Sequence, residues 1–126
     1  NFQENSISFT LRGSPEPMMT EGDEKQLSQV FLNLLKNAMQ ALEGHPHGEL
    51  SLQAEQDEYI VIDITDNGPG IPPEIMDKVF IPFFTTKSEG TGIGLSLCKE
   101  IIRRHEGHLA IKESRAGKTV FHIELP

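Results

Sequence analysis

The sequence predicts an α/β fold, and three observations carry that prediction. Apolar residues recur at helical spacing in two places, from Leu27 to Leu42 and from Leu95 to His105. Other stretches alternate apolar and polar residues with the period of a strand: Ile7 to Leu11, Glu49 to Gln56, Tyr59 to Thr65 and Thr119 to Leu125. Between the two classes runs Gly90-Thr91-Gly92-Ile93-Gly94-Leu95, three glycines at alternate positions meeting the start of the second helical repeat. The expected order is β-α-β-β-(short α)-α-β-β.

Each element follows from its residues. Asn1 to Ser6 is polar and reads as a linker end. Ile7, Phe9 and Leu11 alternate with Ser8, Thr10 and Arg12, as in a half-buried strand. Gly13 to Gly22, with two prolines and two acids, reads as a loop. Asp23 followed by Gln26 is a capping-box start, and Leu27, Val30, Phe31, Leu34, Leu35, Ala38 and Leu42 form the stripe of the first helix, which Gly44 and Pro46 end. Leu50, Leu52 and Ala54 mark one strand and Ile60, Ile62 and Ile64 the next, joined as a hairpin at Asp57-Glu58. Pro72-Pro73-Glu74 starts a short helix through Asp77. Val79 to Phe84 contains Pro82 and suits neither a strand nor a helix. Leu95, Cys98, Ile101, Ile102 and His105 form the stripe of the second long helix, with Gly107 as its expected C′ residue. Leu109 and Ile111 open a strand, Arg115-Ala116-Gly117 turns the chain, and Thr119, Phe121, Ile123 and Leu125 line the inner face of the last strand.

Size and charge narrow the function. The 126 residues make one domain. The net charge of −8, with no basic run longer than Arg103-Arg104, argues against a nucleic-acid partner. An acidic balance is compatible with a nucleotide ligand, because Mg²⁺ neutralises phosphate charge. The single Cys98 has no disulfide partner within the chain and sits in core phase, a small buried hydrophobe. No apolar run approaches a membrane span and no signal peptide is visible, so a cytoplasmic location is expected, either free or as the cytoplasmic part of a membrane-anchored protein. The chain begins Asn-Phe-Gln, without an initiator Met, and reads as part of something longer.

Three places carry candidate chemistry. The glycine stretch ahead of the second long helix lets backbone N–H groups close on an anion at a helix start; the alternative is a plain connector. Asn33 and Asn37 are four apart and share one face of the first helix, about a quarter-turn from the centre of its apolar stripe. They either line a pocket at the edge of the core or stand solvated on a flank. The next same-face position after Ile64 is Asp66, which would bring a carboxylate to the buried side of the strand end, where it needs hydrogen-bond donors. Asp66-Asn67-Gly68 is also ordinary turn chemistry. Thr119 is in phase with the inner face of the last strand, so its hydroxyl is a candidate to look into a pocket.

Taken together, these stretches resemble a known family. Asn33-Leu-Leu-Lys-Asn37-Ala is similar to the N box of the ATP-binding domain of bacterial sensor histidine kinases. Asp66-Asn67-Gly68-Pro69-Gly70-Ile71 resembles their first glycine box, Val79-Phe80-Ile81-Pro82-Phe83-Phe84-Thr85-Thr86-Lys87 their F box, and Gly90 to Leu95 their second glycine box. The four boxes stand in the family's order and cover the chain from about Leu27 to Phe121. The short segment after the F box is similar to the nitrogen-regulation type of sensor kinase.

The resemblance implies the Bergerat fold, a two-layer α/β sandwich whose mixed, mostly antiparallel sheet is covered by helices on one face. It implies ATP and Mg²⁺ as cofactors and assigns the site. Asn37 would give an amide oxygen to Mg²⁺, and Asn33 would contact phosphate or a Mg²⁺-bound water, with Lys36 a further phosphate contact. Asp66 would accept the exocyclic N–H of adenine, and Gly68 and Gly70 would allow close approach to its ring. Ile71, Leu95 and Phe121 would be apolar walls, and Thr119 would hold a water beside Asp66. Gly90, Gly92 and Gly94, with Thr91 and Ile93 between them, would cradle phosphates. Lys87 would reach the β- or γ-phosphate from a lid at 85–92, which has few apolar anchors and is expected to be mobile without ligand. Asn33, Asn37 and Lys87 are thus the implied catalytic set. Phe83 and Phe84 would anchor the lid or face a partner domain.

In the related gyrase, mismatch-repair and heat-shock-chaperone ATPases the residue at position 33 is a Glu that activates water. Asn33 has no useful basicity, so phosphoryl transfer is expected rather than hydrolysis, to a His on a dimerising helical domain and from there to a response regulator. None of His45, His47, His105, His108 and His122 stands in an acceptor setting; all five read as structural or solvated. The acceptor domain is expected outside this chain, and the isolated domain is expected to be a monomer. A hydrolysing ATPase and an anti-sigma-factor type Ser/Thr kinase are the alternatives within the fold.

Overall fold

The computed structural model describes residues 7–13, 22–82 and 94–126. They form β1 (Ile7–Gly13), α1 (Glu24–Ala41), β2 (Gly48–Gln56), β3 (Ile60–Asp66), a 3-10 turn (Pro73–Lys78), α2 (Gly94–Arg104), β4 (His108–Arg115) and β5 (Lys118–Leu125). The order is the one the sequence predicts. The expected linker end at 1–6, the lid at 85–92, Phe83, Phe84, Lys87 and the box residues Gly90, Thr91, Gly92 and Ile93 lie outside the described residues.

The strands make one sheet in the order β1-β2-β3-β5-β4. β1 and β2 are parallel because the crossover between them is α1; the remaining pairs are antiparallel. Period two then sorts the side chains. Ile60, Ile62, Ile64 and Asp66 of β3 are buried, and Val61, Asp63 and Thr65 between them are half-exposed on the other face. The buried face meets Val30, Leu34, Ala38 and Leu42 at α1 and Cys98, Ile101 and Ile102 of α2 in one core. Each such Leu or Ile stabilises the fold by about 1.5–3 kcal/mol through burial.

α1 starts at Asp23, whose carboxylate accepts the Gln26 N–H at 3.0 Å. The other half of the cap comes from a different element. The Asp23 N–H donates to Nε2 of His105 at 3.0 Å, and Nδ1 of the same ring lies 2.7 Å from the Ile101 carbonyl. His105 therefore ties the start of α1 to the end of α2. Gly22 makes room for it, since a Cβ there would stand 2.4 Å from the ring.

Four sequence expectations need correction in detail. β1 forms, but Phe9 is 55% and Leu11 69% exposed; at the sheet edge, among the described residues of β1, Ile7 is the one packed against the core. Tyr59 belongs to the hairpin turn, with Asp57 N–H bonded to its carbonyl at 3.0 Å, and β3 begins at Ile60. The short helix after Pro72 is a 3-10 turn. The left-handed residue ending α2 is Glu106, with φ of +61°, and not Gly107. Glu106 N–H bonds to Arg103 O and Gly107 N–H to Ile102 O, both at 2.9 Å, which is a Schellman ending with Glu at C′. Gly107 is needed for a different reason: a Cβ there would lie 2.4 Å from the Glu124 carbonyl.

Candidate functional site

Asp66 ends β3 on the helix-facing side, only 3% exposed. It faces Leu50 of β2 and Thr119 of β5 in register, and Thr119 is 4% exposed. Oδ1 of Asp66 accepts the Gly68 N–H at 2.9 Å, so the turn chemistry legible in the sequence does occur, at a buried carboxylate.

The turn that follows is packed tightly. Gly68 lies against α1, where an added Cβ would stand 3.1 Å from the Ala41 carbonyl and 2.9 Å from Asp66 Oδ1. Gly70 has a φ of +85°, and a Cβ there would come within 2.6 Å of the Arg115 carbonyl. Within the protein, Gly68 thus approaches the Asp66 carboxylate and α1, and Gly70 the end of β4. The β4–β5 hairpin holds the turn from the other side: Gly117 N–H donates to Gly68 O, and Ile71 N–H donates to the Ser114 hydroxyl, both at 2.8 Å. Ser114 Oγ lies 3.3 Å from Thr119 Oγ1.

Asn67, which the sequence marks only as a turn residue, staples the turn to β2. Its Oδ1 accepts the Glu49 N–H at 2.7 Å and its Nδ2 donates to His47 O at 2.9 Å. Such a role is invisible in sequence, because it depends on β2 lying beside the turn.

Asn33 and Asn37 are half-buried on one flank of α1, the edge position their spacing indicates. Ala41, one turn beyond Asn37 on the same face, is the residue Gly68 packs against, so this flank runs toward the Asp66 turn. Asn33 hydrogen-bonds to Cys98. Burial pushes the Cys98 thiol up to about 11, only partly offset by Asn33, and its Sγ lies 3.7 Å from the Val30 carbonyl. This thiol packs the two helices together. Lys36 is exposed on α1.

Gly94 opens α2 and Leu95, half-buried, packs against the core. Phe121 is 1% exposed, two residues along β5 from Thr119 on the same face, and the Phe80 ring meets it edge-on at 6.4 Å. The Lys99 ammonium sits 4.4 Å over the Phe80 ring and donates to the Leu109 carbonyl at 3.2 Å, so Phe80 is fixed against α2 and β4.

The far face of the sheet carries a separate cluster. His122 lies between two carboxylates, with Nδ1 2.5 Å from Asp63 and Nε2 2.9 Å from Glu124. Burial pulls its pKa down, but the two carboxylates outweigh burial and raise it above the ordinary value. Among the described residues no group of three His, Cys, Asp or Glu side chains is arranged to hold a metal. A Mg²⁺ site built on Asn37 does not need such a group, since that ion takes one or two protein oxygens and completes its shell with water and phosphate. Among the described residues, no helix is long and apolar enough to cross a membrane.

A mixed sheet with both long helices on one face, a buried carboxylate ending β3 and a glycine turn beside it define a Bergerat-type α/β sandwich. Residues 22–126 match the model of the histidine kinase-, DNA gyrase B- and HSP90-like ATPases, and the chain belongs to that family. It is 42% identical over 111 residues to sporulation kinase C of Bacillus subtilis, an alignment covering 86% of this chain and 25% of that protein. It is 40% identical over 121 residues to the sensory histidine kinase/phosphatase NtrB of Rhodobacter capsulatus, covering 85% of this chain and 33% of NtrB. Among solved structures, the nucleotide-free catalytic domain of histidine kinase ThkA superposes with a TM-score of 0.84 at 34% identity, over 99% of this chain and 81% of that one. The chain thus spans between a quarter and a third of the length of these two curated relatives.

Proposed function

We propose that this domain binds Mg·ATP and delivers the γ-phosphoryl group to a histidine on a dimerisation domain outside this chain, the first step of two-component signalling. The observation that carries the reading is the buried Asp66 beside Thr119, at the end of the flank that presents Asn33 and Asn37. A carboxylate in that position is suited to accept the N–H of an adenine amino group, and backbone held as tightly as the Gly68–Gly70 turn would position the ring without reorganising. Leu95 and Ile71, both half-buried, are the apolar walls on this reading, with Phe121 beneath them. Lys36 is an outlying phosphate contact. Lys87 and the glycines at 90, 92 and 94 complete the phosphate side, with 85–92 as the lid, and the whole chain acts as one ATP-binding catalytic unit.

Bound Mg²⁺ would neutralise phosphate charge and orient the γ-phosphoryl group for in-line transfer. This chain's own residues then have three tasks. Asn37 offers a hard oxygen to the ion, Asp66 with Thr119 fixes the base, and Asn33 leaves any nearby water unactivated because an amide is no base. That last property, together with relatives named as a sporulation kinase and a sensory histidine kinase/phosphatase, favours phosphoryl transfer over hydrolysis. The response regulator enters only after the acceptor histidine.

Calorimetric titration with Mg·ATP, followed by phosphate release on the same sample, tests the reading. Binding with negligible release is expected, and Asn37→Ala or Asp66→Ala should each weaken it tenfold or more, on the order of 1.4 kcal/mol. Adding a His-bearing helical domain of a related kinase should give acid-labile phosphate. Unchanged affinity in both variants would remove the nucleotide site, steady release would favour an ATPase, and acid-stable phosphate a Ser/Thr kinase.

A further inference from the structure

Within their paired span β4 carries one residue more than β5, His108 to Arg115 lying against Lys118 to Glu124. β4 and β5 pair in register from His108↔Glu124 to Ile111↔Phe121 and resume at Glu113↔Val120, leaving Lys112 as a bulge. The Lys112 ammonium goes to the outer face, 3.4 Å from Asp63 Oδ2. Continued without the bulge, the ladder would set Glu113 opposite Thr119, one strand away from Asp66. Two carboxylates would then flank one buried hydroxyl, and like charges at that range raise the cost of ionising either. The bulge instead sets Ser114 opposite Thr119 and turns Glu113 outward, where Arg115 Nε meets it at 2.8 Å. Bulges next to functional sites commonly re-aim a side chain in this way.

Asp66, Thr119 and Ser114 consequently form a row across β3, β5 and β4. Ser114 Oγ accepts the Ile71 N–H at 2.8 Å and lies 3.3 Å from Thr119 Oγ1. We infer that Ser114 is a positioning residue of the nucleotide site: its O–H donates a hydrogen bond to Thr119 Oγ1, so that the Thr119 O–H is directed toward Asp66 and the base. A hydroxyl has one proton and two acceptor positions. The Ile71 N–H occupies one acceptor position of Ser114, and donation to Thr119 uses its proton, which leaves the Thr119 proton for the Asp66 side of the row. The inference rests on the proposed nucleotide reading and names a residue that acts on the base through Thr119, without touching it.

The test is a double-mutant cycle read by Mg·ATP titration, with thermal unfolding recorded for every variant. Ser114→Ala should weaken binding about three- to tenfold, the range of one lost hydrogen bond. Ser114→Thr, which keeps the hydroxyl, should recover wild-type affinity to within about twofold. In a Thr119→Val background, Ser114→Ala should add less than about twofold, because its route to the base is already gone. If Ser114→Ala does not fold, Ser114→Cys takes its place with the same expected loss. Unchanged affinity in the alanine variant, or the same loss with and without Thr119, would overturn the inference. Absence of Mg·ATP binding by the unmodified chain is a different result and would overturn the nucleotide reading itself.

Discussion

The end of α2 allows a prediction whose sign separates two readings. Glu106 holds a left-handed conformation that costs a side-chain-bearing residue about 1–2 kcal/mol, and it brings a carboxylate to the negative end of a helix. Replacing it with glycine removes that strain but adds freedom to the unfolded chain, worth about 0.5–1 kcal/mol. The net expectation for Glu106→Gly is stabilisation by about 0.5–1 kcal/mol. For a domain of this length 1 kcal/mol corresponds to about 4 °C in Tm, so calorimetry should show a rise of about 2–4 °C. Glu106→Ala isolates the charge, since alanine keeps the backbone strain, and should rise by less than the glycine variant. At the neighbouring position the sign reverses. Gly107→Ala would drive a Cβ to 2.4 Å from the Glu124 carbonyl and 3.0 Å from both Ile102 and Leu125, which should cost about 1–3 kcal/mol and lower Tm by roughly 4–12 °C. Mg·ATP affinity should stay unchanged in Glu106→Gly, because the substitution is at the opposite end of α2 from Gly94. A Glu106→Gly variant less stable than wild type would refute the reasoning, for it would mean that residue 106 is right-handed and that Gly107 takes the left-handed turn.

Three further outcomes can be measured on the same material. Because the His122 pKa is raised in the folded state by Asp63 and Glu124 against the opposing effect of burial, its contribution is complete below the unfolded value of about 6.5 and is lost as pH rises through the folded value. Thermal stability should therefore fall across that window, and His122→Gln should flatten the profile; an unchanged profile would show that the pair of carboxylates does not hold the charged ring. Asn67→Ala removes hydrogen bonds to Glu49 N–H and His47 O and should cost about 1–2 kcal/mol by denaturant titration, with Asn67→Asp, which keeps the acceptor, intermediate. Cys98, fully buried with its thiol pushed up to about 11, should resist a thiol reagent in the folded protein at pH 8 and react fully in denaturant; rapid labelling under native conditions would mean that α1 and α2 separate.

What the sequence makes legible follows from what its periodicities encode. Helical spacing finds α1 and α2 because one face of each is buried over its whole length, and period two finds β3 because it is the middle strand of the sheet, with Ile60, Ile62 and Ile64 facing both helices. The same alternation places Asp66 correctly on the buried side, since β3 runs unbroken to its end. It overstates β1, because period two reports which face a side chain takes and not whether a helix reaches that far; Phe9 and Leu11 take the expected face at an uncovered edge. It fails at Glu106 and Gly107 because two pressures act on adjacent residues. A glycine after a helix usually supplies the left-handed turn, but here it is spent on letting β5 pass, and Glu106 bears the strain. Ser114 is hidden for a related reason. Counting in twos from Leu109 and Ile111 puts Glu113 on the inner face, and only the unpaired Lys112 shifts the phase. Phase errors of this kind arise where a strand departs from regularity, and in this sheet the departure falls beside Asp66 and Thr119. The residue that sequence reasoning loses is thus the one the bulge exists to deliver, so a strand count that fails to close near a buried carboxylate is itself a signal worth following.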